Sequence, residues 1–267
     1  MKIWFAHALN IENSGDGAST PYHYFKEYFD QYECARINVT RLEEYDLKMF
    51  SKADVAIIGG GGILDLCTTW NTNIENLISR VGRSVVWGAG YSFSELSRSA
   101  SHINLSGCDC VGIRDYYGVE GAGPTKNYVP CVSCLHPEFD APHKVKRNVG
   151  FMLHYYWKTR PQNGEEFILN NAPFEEIIKF ICESSIVVSN SYHGCYLGWL
   201  AGKPVYRIVE VEGDSRFTFS KQRYNIFNGK IPTSVNFGDS TRSDLIESRN
   251  INLKFFEKVK EVIEDGL

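Results

Sequence analysis

Residues 185–205, Ser-Ile-Val-Val-Ser-Asn-Ser-Tyr-His-Gly-Cys-Tyr-Leu-Gly-Trp-Leu-Ala-Gly-Lys-Pro-Val, constrain the fold more than any other stretch. Ile186–Val188 is a β-branched run suited to a buried strand. Ser189, Asn190 and Ser191 break it, and Ser191 is a favourable helix N-cap. From Tyr192 to Ala201 the residues are apolar nearly all round, so that helix must be buried. Gly202 suits the position just past a helix end, and Pro204 prevents its resumption. Strand, sharp turn, buried helix and strand in succession demand a parallel α/β sheet. The arrangement puts His193 at a helix N-terminus above the carboxyl end of a strand, where open α/β sheets bind ligands and free N–H groups attract anions.

The rest of the chain repeats this alternation. Residues 2–7, 33–39, 54–58, 84–90, 108–115 and 127–133 read as strands, with helices expected over 22–32, 42–50 and 73–81. Pro137–Asn148 is the best linker. Beyond it comes a second series: strands at 149–154, 167–169, 186–190 and 205–211, with a helix over 173–182. The expectation is a doubly wound α/β chain in two lobes, 1–140 and a smaller 141–251. Leu253, Phe256, Val259 and Ile263 recur at helical spacing, so 252–267 is expected to be an amphipathic helix packing back on the first lobe.

Composition excludes several classes. A net charge of −4 over 267 residues lacks the basic surplus of a nucleic-acid binder. Nothing approaches the ~18 apolar residues of a membrane span, and Met1–His7 is too short for a signal-peptide core, so a cytoplasmic protein is expected. Cys108-Asp-Cys110 and Cys131-Val-Ser-Cys134 do not have the spacing of paired zinc knuckles, so no metal site is expected.

Several loops carry residue types with chemical meaning. Asn13-Ser-Gly-Asp16 follows the first strand and is a turn on composition alone. Gly59–Gly62 follows the third; such a run permits close approach of backbone to a ligand, but lacks P-loop and dinucleotide spacing. Ile113-Arg114-Asp115 ends another strand, where an arginine fork can grip carboxylate or phosphate. His154 ends the first strand of the second lobe. Asp214-Ser-Arg216-Phe217 lies in a long polar loop, a common place for functional residues.

In order and spacing these motifs resemble the polysaccharide pyruvyl transferases. That family has Asn-x-Gly-Asp after its first strand, a glycine run followed by Ile or Leu, an Arg-Asp or Arg-Gly pair, and Ser-(aromatic or Leu)-His-Gly ahead of Gly-(Lys or Ile)-Pro. In this chain these are Asn13/Gly15/Asp16, Gly59–Ile63, Arg114-Asp115, Ser191–Gly194 and Gly202–Pro204. Two positions depart. Many relatives carry arginine just before the histidine, where this chain has Asn190-Ser191. The usual Gly-Asp-Pro is replaced by Val-Pro-Cys131-Val-Ser-Cys134.

The resemblance implies a glycosyltransferase-B-like fold of two Rossmann-like lobes facing a cleft. It implies transfer of the enolpyruvyl unit of phosphoenolpyruvate to sugar hydroxyls, forming a pyruvate ketal, with no cofactor or metal. His193 and Asp16 would be catalytic. Arg114, Gly60, Gly61, Ser191, Gly194 and His154 would bind the donor, and Asn13 and Arg216 the acceptor, a sugar or lipid-linked oligosaccharide. That leaves room for peripheral contact with the inner membrane face. Two alternatives stand beside it: a nucleotide-sugar glycosyltransferase, with Glu210 or Glu212 on the ribose, and a non-catalytic sugar-binding relative.

Overall fold

The computed structural model describes residues 1–9, 12–64, 67–91, 103–115, 128–156, 161, 164–208, 225–227, 229 and 242–265. The first half contributes β1 (Lys2–His7), α1 (Ser14–Gly17), α2 (Lys26–Phe29), β2 (Glu33–Asn38), β3 (Val55–Gly59), β4 (Gly62–Leu64), α3 (Thr68–Arg80), β5 (Arg83–Tyr91) and β6 (Cys110–Ile113). The second contributes β7 (Arg147–Leu153), β8 (Phe167–Leu169), α4 (Phe174–Cys182), β9 (Ser184–Ser189), α5 (Tyr192–Leu200), β10 (Val205–Arg207), β11 (Asn225–Ile226) and α6 (Ser243–Glu264).

Two sheets result, and every pairing within them is parallel. The first runs β2-β1-β3-β5-β4, with β6 also paired to β5; the second runs β11-β10-β9-β7-β8. This is the two-lobed, Rossmann-like architecture of the glycosyltransferase-B class. In each sheet the chain leaves its first strand to one side and returns on the other. The strand order therefore reverses between β1 and β3, and again between β7 and β9. Ligands bind at the carboxyl edge of such switch points, and the loops after β1, β3, β7 and β9 carry most of the motifs.

Alternation along the strands decides which helix covers which face. Ile3 and Phe5 of β1 pack with Phe255, Val259 and Ile263 of α6, whereas Trp4 and Ala6 pack with Ile74 and Leu77 of α3. In the second sheet Val187 meets α4 and α5, while Ile186 and Val188 face the other side. Only Trp199 of α5 is not fully buried. Gly202 follows α5 at φ +69°, the left-handed turn expected of it.

Local structure departs from the sequence expectations at several places. The aromatic stretch 22–32 is a 3-10 turn at Pro21–His23 followed by the short α2. Its rings fold inward around Phe5 and Phe256, and aromatic residues stiffen poorly into helix. Residues 42–50 form two 3-10 turns, Val39–Glu44 and Leu47–Met49, capped by the Asn38 and Asp46 side chains. The strand expected at 127–133 is reduced to a bridge between Tyr128 and Ile113, and a 3-10 turn, Val132–Leu135, follows; Pro130 has no N–H to continue a ladder. The C-terminal helix starts at Ser243, not 252. Its buried face is Leu245, Ser248, Asn252, Phe255, Val259 and Ile263, and Leu253 is 48% exposed. Asn252 fits the core because its amide bonds Trp87 Nε1 at 2.9 Å and the Pro130 carbonyl at 3.1 Å.

Candidate active site

The site is built where the carboxyl edges of the two sheets meet. The turn after β1 is tied to the second lobe: Ser14 N–H donates to the Asn170 carbonyl at 2.9 Å, and Ser14 Oγ donates to Ala172 O at 2.5 Å. From the other side, Tyr196 OH donates to the Cys131 carbonyl at 2.9 Å. These bonds tie α1 to the loop after β8, and α5 to the segment that follows β6.

His193 lies in this seam, 3% exposed. Its ring rests on the Cα of Gly15, where a Cβ would come within 2.2 Å of Nδ1. Its Nε2 is 3.2 Å from Ser19 Oγ and 3.8 Å from Cys131 Sγ. The Ser19 hydroxyl donates to the Gly15 carbonyl at 2.5 Å. Its lone pairs therefore receive the Nε2 proton of His193, leaving Nδ1 as the acceptor nitrogen. Burial first, then the charge of Arg114, pushes His193 down to a pKa of about 3. The imidazole is neutral at rest.

Arg114 arrives from the end of β6. It is 5% exposed, and its guanidinium carbon sits 3.7 Å above the ring centroid of Tyr192. Gly90 makes room for it: a Cβ there would lie 2.1 Å from Arg114 Nε. Nε and Nη1 are buried without a hydrogen-bond partner. Buried donors are nearly always paired, and a buried arginine with open valences is chemically suited to an anion. Arg114 thus brings a cation to His193 across the seam from the first lobe.

Two carboxyl groups accompany it. Asp16 accepts from Asn13 Nδ2 at 2.7 Å, and burial raises its pKa to about 6, against the pull of Arg114 and Asn13. Asp115 accepts from Tyr91 N–H at 2.6 Å and is likewise raised to about 6 by burial, with Arg114 and that N–H opposing. Asn13 Oδ1 and Asn170 Nδ2 are also buried without partners. Together with Arg114 Nε and Nη1 they leave open polar valences in the loops that meet at the seam.

The remaining candidates take particular places. Gly60 and Gly61 have φ of +82° and +76°, but their Cα atoms support the α1 turn. A Cβ on Gly60 would meet Ser19 at 2.5 Å, and one on Gly61 would meet Asp16 Oδ1 at 3.0 Å. Gly194 is pressed on Ser189, where a Cβ would be 2.1 Å from Oγ, so it serves the close strand–helix turn. Ser191 holds the N-cap position without a side-chain cap bond; its N–H donates to Ser189 Oγ at 3.0 Å. His154 stacks with Tyr155 and Tyr156, and its N–H donates to Asn190 Oδ1 at 2.7 Å. Arg216, Glu210 and Glu212 lie outside the described residues.

Ser19, Cys131 and Tyr192 are not among the candidates that the sequence offers. Ser19 reads as a helix start, and Tyr192 stands inside the Ser-Tyr-His-Gly motif as its aromatic member. Cys131 is visible only as a substitution. All eight cysteines are free. Among the described residues no group of three or more His, Cys, Asp or Glu side chains could hold a metal ion, and no helix is long and apolar enough to cross a membrane.

Known proteins supply the family. No curated protein matches the chain significantly. Among solved structures, an uncharacterized protein from Klebsiella pneumoniae is 17% identical with a TM-score of 0.48, over 82% of this chain and 91% of its own. An alpha-glucosyltransferase solved with UDP and a 13-mer DNA is 11% identical with a TM-score of 0.49, over 99% of each chain. The profile of the polysaccharide pyruvyl transferase family matches residues 7–210, which include every motif described above except Arg216. The chain belongs to the polysaccharide pyruvyl transferase family.

Proposed function

We propose that the protein transfers the enolpyruvyl unit of phosphoenolpyruvate to two hydroxyls of a sugar, giving a pyruvate ketal and phosphate. The observation that carries this reading is the buried guanidinium of Arg114, whose Nε and Nη1 have no hydrogen-bond partner, beside the neutral imidazole of His193. The donor bears a carboxylate and a phosphate, and a planar fork in a water-poor seam matches either. Asn170 Nδ2 offers a further donor.

The chemistry needs a proton delivered to the methylene carbon, which makes C2 electrophilic. A sugar hydroxyl then attacks C2 and loses its proton, and a second hydroxyl closes the ketal as phosphate leaves and takes up that hydroxyl's proton. Both proton movements call for a group that is neither firmly acid nor firmly base, and His193 takes that role. Asp16, raised toward neutrality, suits orientation or deprotonation of a sugar hydroxyl, with Asn13 beside it. The acceptor is proposed to be a glycan, lipid-linked and met at the inner face of the membrane, in the cytoplasm where the donor is available.

Thermal denaturation with phosphoenolpyruvate, and separately with nucleotide sugars, tests the donor. Stabilisation of several degrees by phosphoenolpyruvate alone is expected. Stabilisation by a nucleotide sugar and not by phosphoenolpyruvate would replace this reading with a glycosyltransferase. Sugar binding with no release of phosphate in the presence of an acceptor would leave a sugar-binding relative.

A further inference from the structure

The seam holds a nucleophilic group that the mechanism above does not use. Cys131 is fully buried, and its sulfur lies 3.3 Å from Ser19 Oγ, 3.2 Å from Ser133 Oγ and 3.8 Å from His193 Nε2. Ser19 Oγ is in turn 3.2 Å from that same Nε2. Thiol, hydroxyl and imidazole thus form a continuous hydrogen-bonded row, ending at Nδ1 on the Gly15 side of the ring. The hydroxyl can turn. With the ring proton on Nε2 it is directed at the Gly15 carbonyl, 2.5 Å away, and receives Nε2–H; once that proton has exchanged to Nδ1 through water before the donor binds, the hydroxyl turns to Nε2 and receives S–H from Cys131.

A single histidine in this seam has a difficulty. It must give a proton and later take one, yet it is buried beside an arginine and resists becoming a cation. A relay removes the difficulty, because a proton can enter one ring nitrogen as another leaves the second. We propose that Cys131 is the proton store for the reaction, acting through Ser19 and His193. This rests on the phosphoenolpyruvate reading.

In the first step S–H breaks and its proton moves to Ser19 Oγ, the Ser19 proton moves to Nε2, and the Nδ1 proton goes to the donor's methylene carbon. The C2–C3 π pair forms the new C–H bond, and the enol oxygen supports the cation left at C2. The thiolate is left within electrostatic reach of the Arg114 charge. In the second step the acceptor O–H breaks as its oxygen bonds C2. That proton enters Nδ1, and the row runs backwards until S–H is restored. The imidazole never carries a full charge, and the protein ends as it began. Because Cys131 acts through His193, it is a positioning and proton-storing residue rather than a catalytic one. A carboxylic acid at this place also holds one transferable proton and can do the same work.

Cys131→Ser and Cys131→Ala are near-isosteric and test the relay, with thermal denaturation to verify folding. Phosphoenolpyruvate affinity is expected to stay within about threefold, because neither change touches Arg114. Turnover should fall about 10²-fold or more, and Cys131→Asp should recover at least about tenfold over Cys131→Ala. The two nitrogen-15 resonances of His193 report the tautomer without any substrate, and Cys131→Ser should shift them. Turnover near wild type in Cys131→Ser or Cys131→Ala overturns the relay. So do unchanged His193 nitrogen resonances in Cys131→Ser, or no recovery in a folded Cys131→Asp. Failure of the wild-type protein to bind or consume phosphoenolpyruvate would instead defeat the functional reading, and the imidazole resonances would still judge the hydrogen-bonded row.

Discussion

The two halves of the seam are opposites. Around His193 nearly every contact is filled: Ser19 and Cys131 bond Nε2, Gly15 is flush with the ring, and Phe174 and Tyr192 meet it edge-on. Around Arg114 the polar valences are open, with Nε, Nη1, Asn13 Oδ1 and Asn170 Nδ2 unpartnered. A filled half holds a group in one geometry, as proton transfer requires. An open half stores an unmet demand that only a ligand can answer. On the proposed function, the unsatisfied groups hold the substrate and the saturated ones move its protons. A variant that disturbs one half asks whether the other notices.

The largest effect is expected from His193→Gln. Glutamine keeps approximate size and some hydrogen bonding but cannot pass a proton between two ring nitrogens. On the proposed function, turnover should fall about 10²–10⁴-fold while phosphoenolpyruvate affinity, which that reading places on Arg114, survives. Steady-state kinetics beside calorimetric donor binding would read the two halves separately. Near wild-type turnover in this variant would move the role elsewhere, with His154 the next histidine to test.

Gly15→Ala attacks the same half without changing its chemistry. The new methyl would lie 2.2–2.8 Å from three atoms of the His193 ring, which is walled in and cannot swing away cheaply. A forced fit of this kind costs about 1–3 kcal/mol of stability, measurable by urea denaturation. Gly17→Ala, two residues on, meets nothing within 4 Å and is the matched control. Equal stability of the two variants would show that the Gly15–His193 contact is not tight.

How much of this could be read from the chain depends on distance along it. Strands such as β3 and β5, the left-handed Gly202 and the buried helix α5 follow from local patterns and were legible. The helix faces were less so. Asn252 interrupts the apolar stripe of α6, yet lies inside because Trp87 and Pro130 supply partners from far away. The saturated half of the site was the least legible. Ser19 and His193 are 174 residues apart and Ser19 and Cys131 are 112 apart, and no spacing rule spans such gaps. Arg114 was legible because an arginine at a strand end speaks for itself; its support on Tyr192 was not.

The pH dependence of stability separates the halves by sign. His193, at about 3 in the folded protein, refuses a proton that the unfolded chain accepts below its ordinary value of 6.5. Its burial therefore weakens the fold as pH drops below 6.5. Asp16, at about 6, keeps a proton that the unfolded chain releases above 3.8, so its burial weakens the fold as pH rises from about 4 through 6. At pH 5 the histidine costs about 2 kcal/mol relative to pH 7.5 and the aspartate contributes about 1 kcal/mol in the other direction. His193→Gln should thus be relatively more stable at pH 5 than wild type, and Asp16→Asn relatively less. Denaturation curves at the two pH values check both. Parallel pH profiles for all three proteins would mean that neither group is held as the structure holds it.

The smallest effect is the most specific. Arg114→Lys keeps the charge and removes the fork. Lysine can send one ammonium toward the donor, but it cannot lie flat on Tyr192 at 3.7 Å or present two N–H groups in one plane. The slot beside Gly90 is shaped to a guanidinium, since even a methyl there would meet Nε at 2.1 Å. Donor affinity should fall about tenfold, the loss of one charge-assisted hydrogen bond. Turnover at saturating donor should change far less, because the proton-handling half is intact. Arg114→Ala should lose more affinity than the lysine variant, since it removes charge and geometry together. Unchanged affinity in both variants would take Arg114 out of the donor site. A loss of turnover matching the loss of affinity would show that the open and filled halves are coupled.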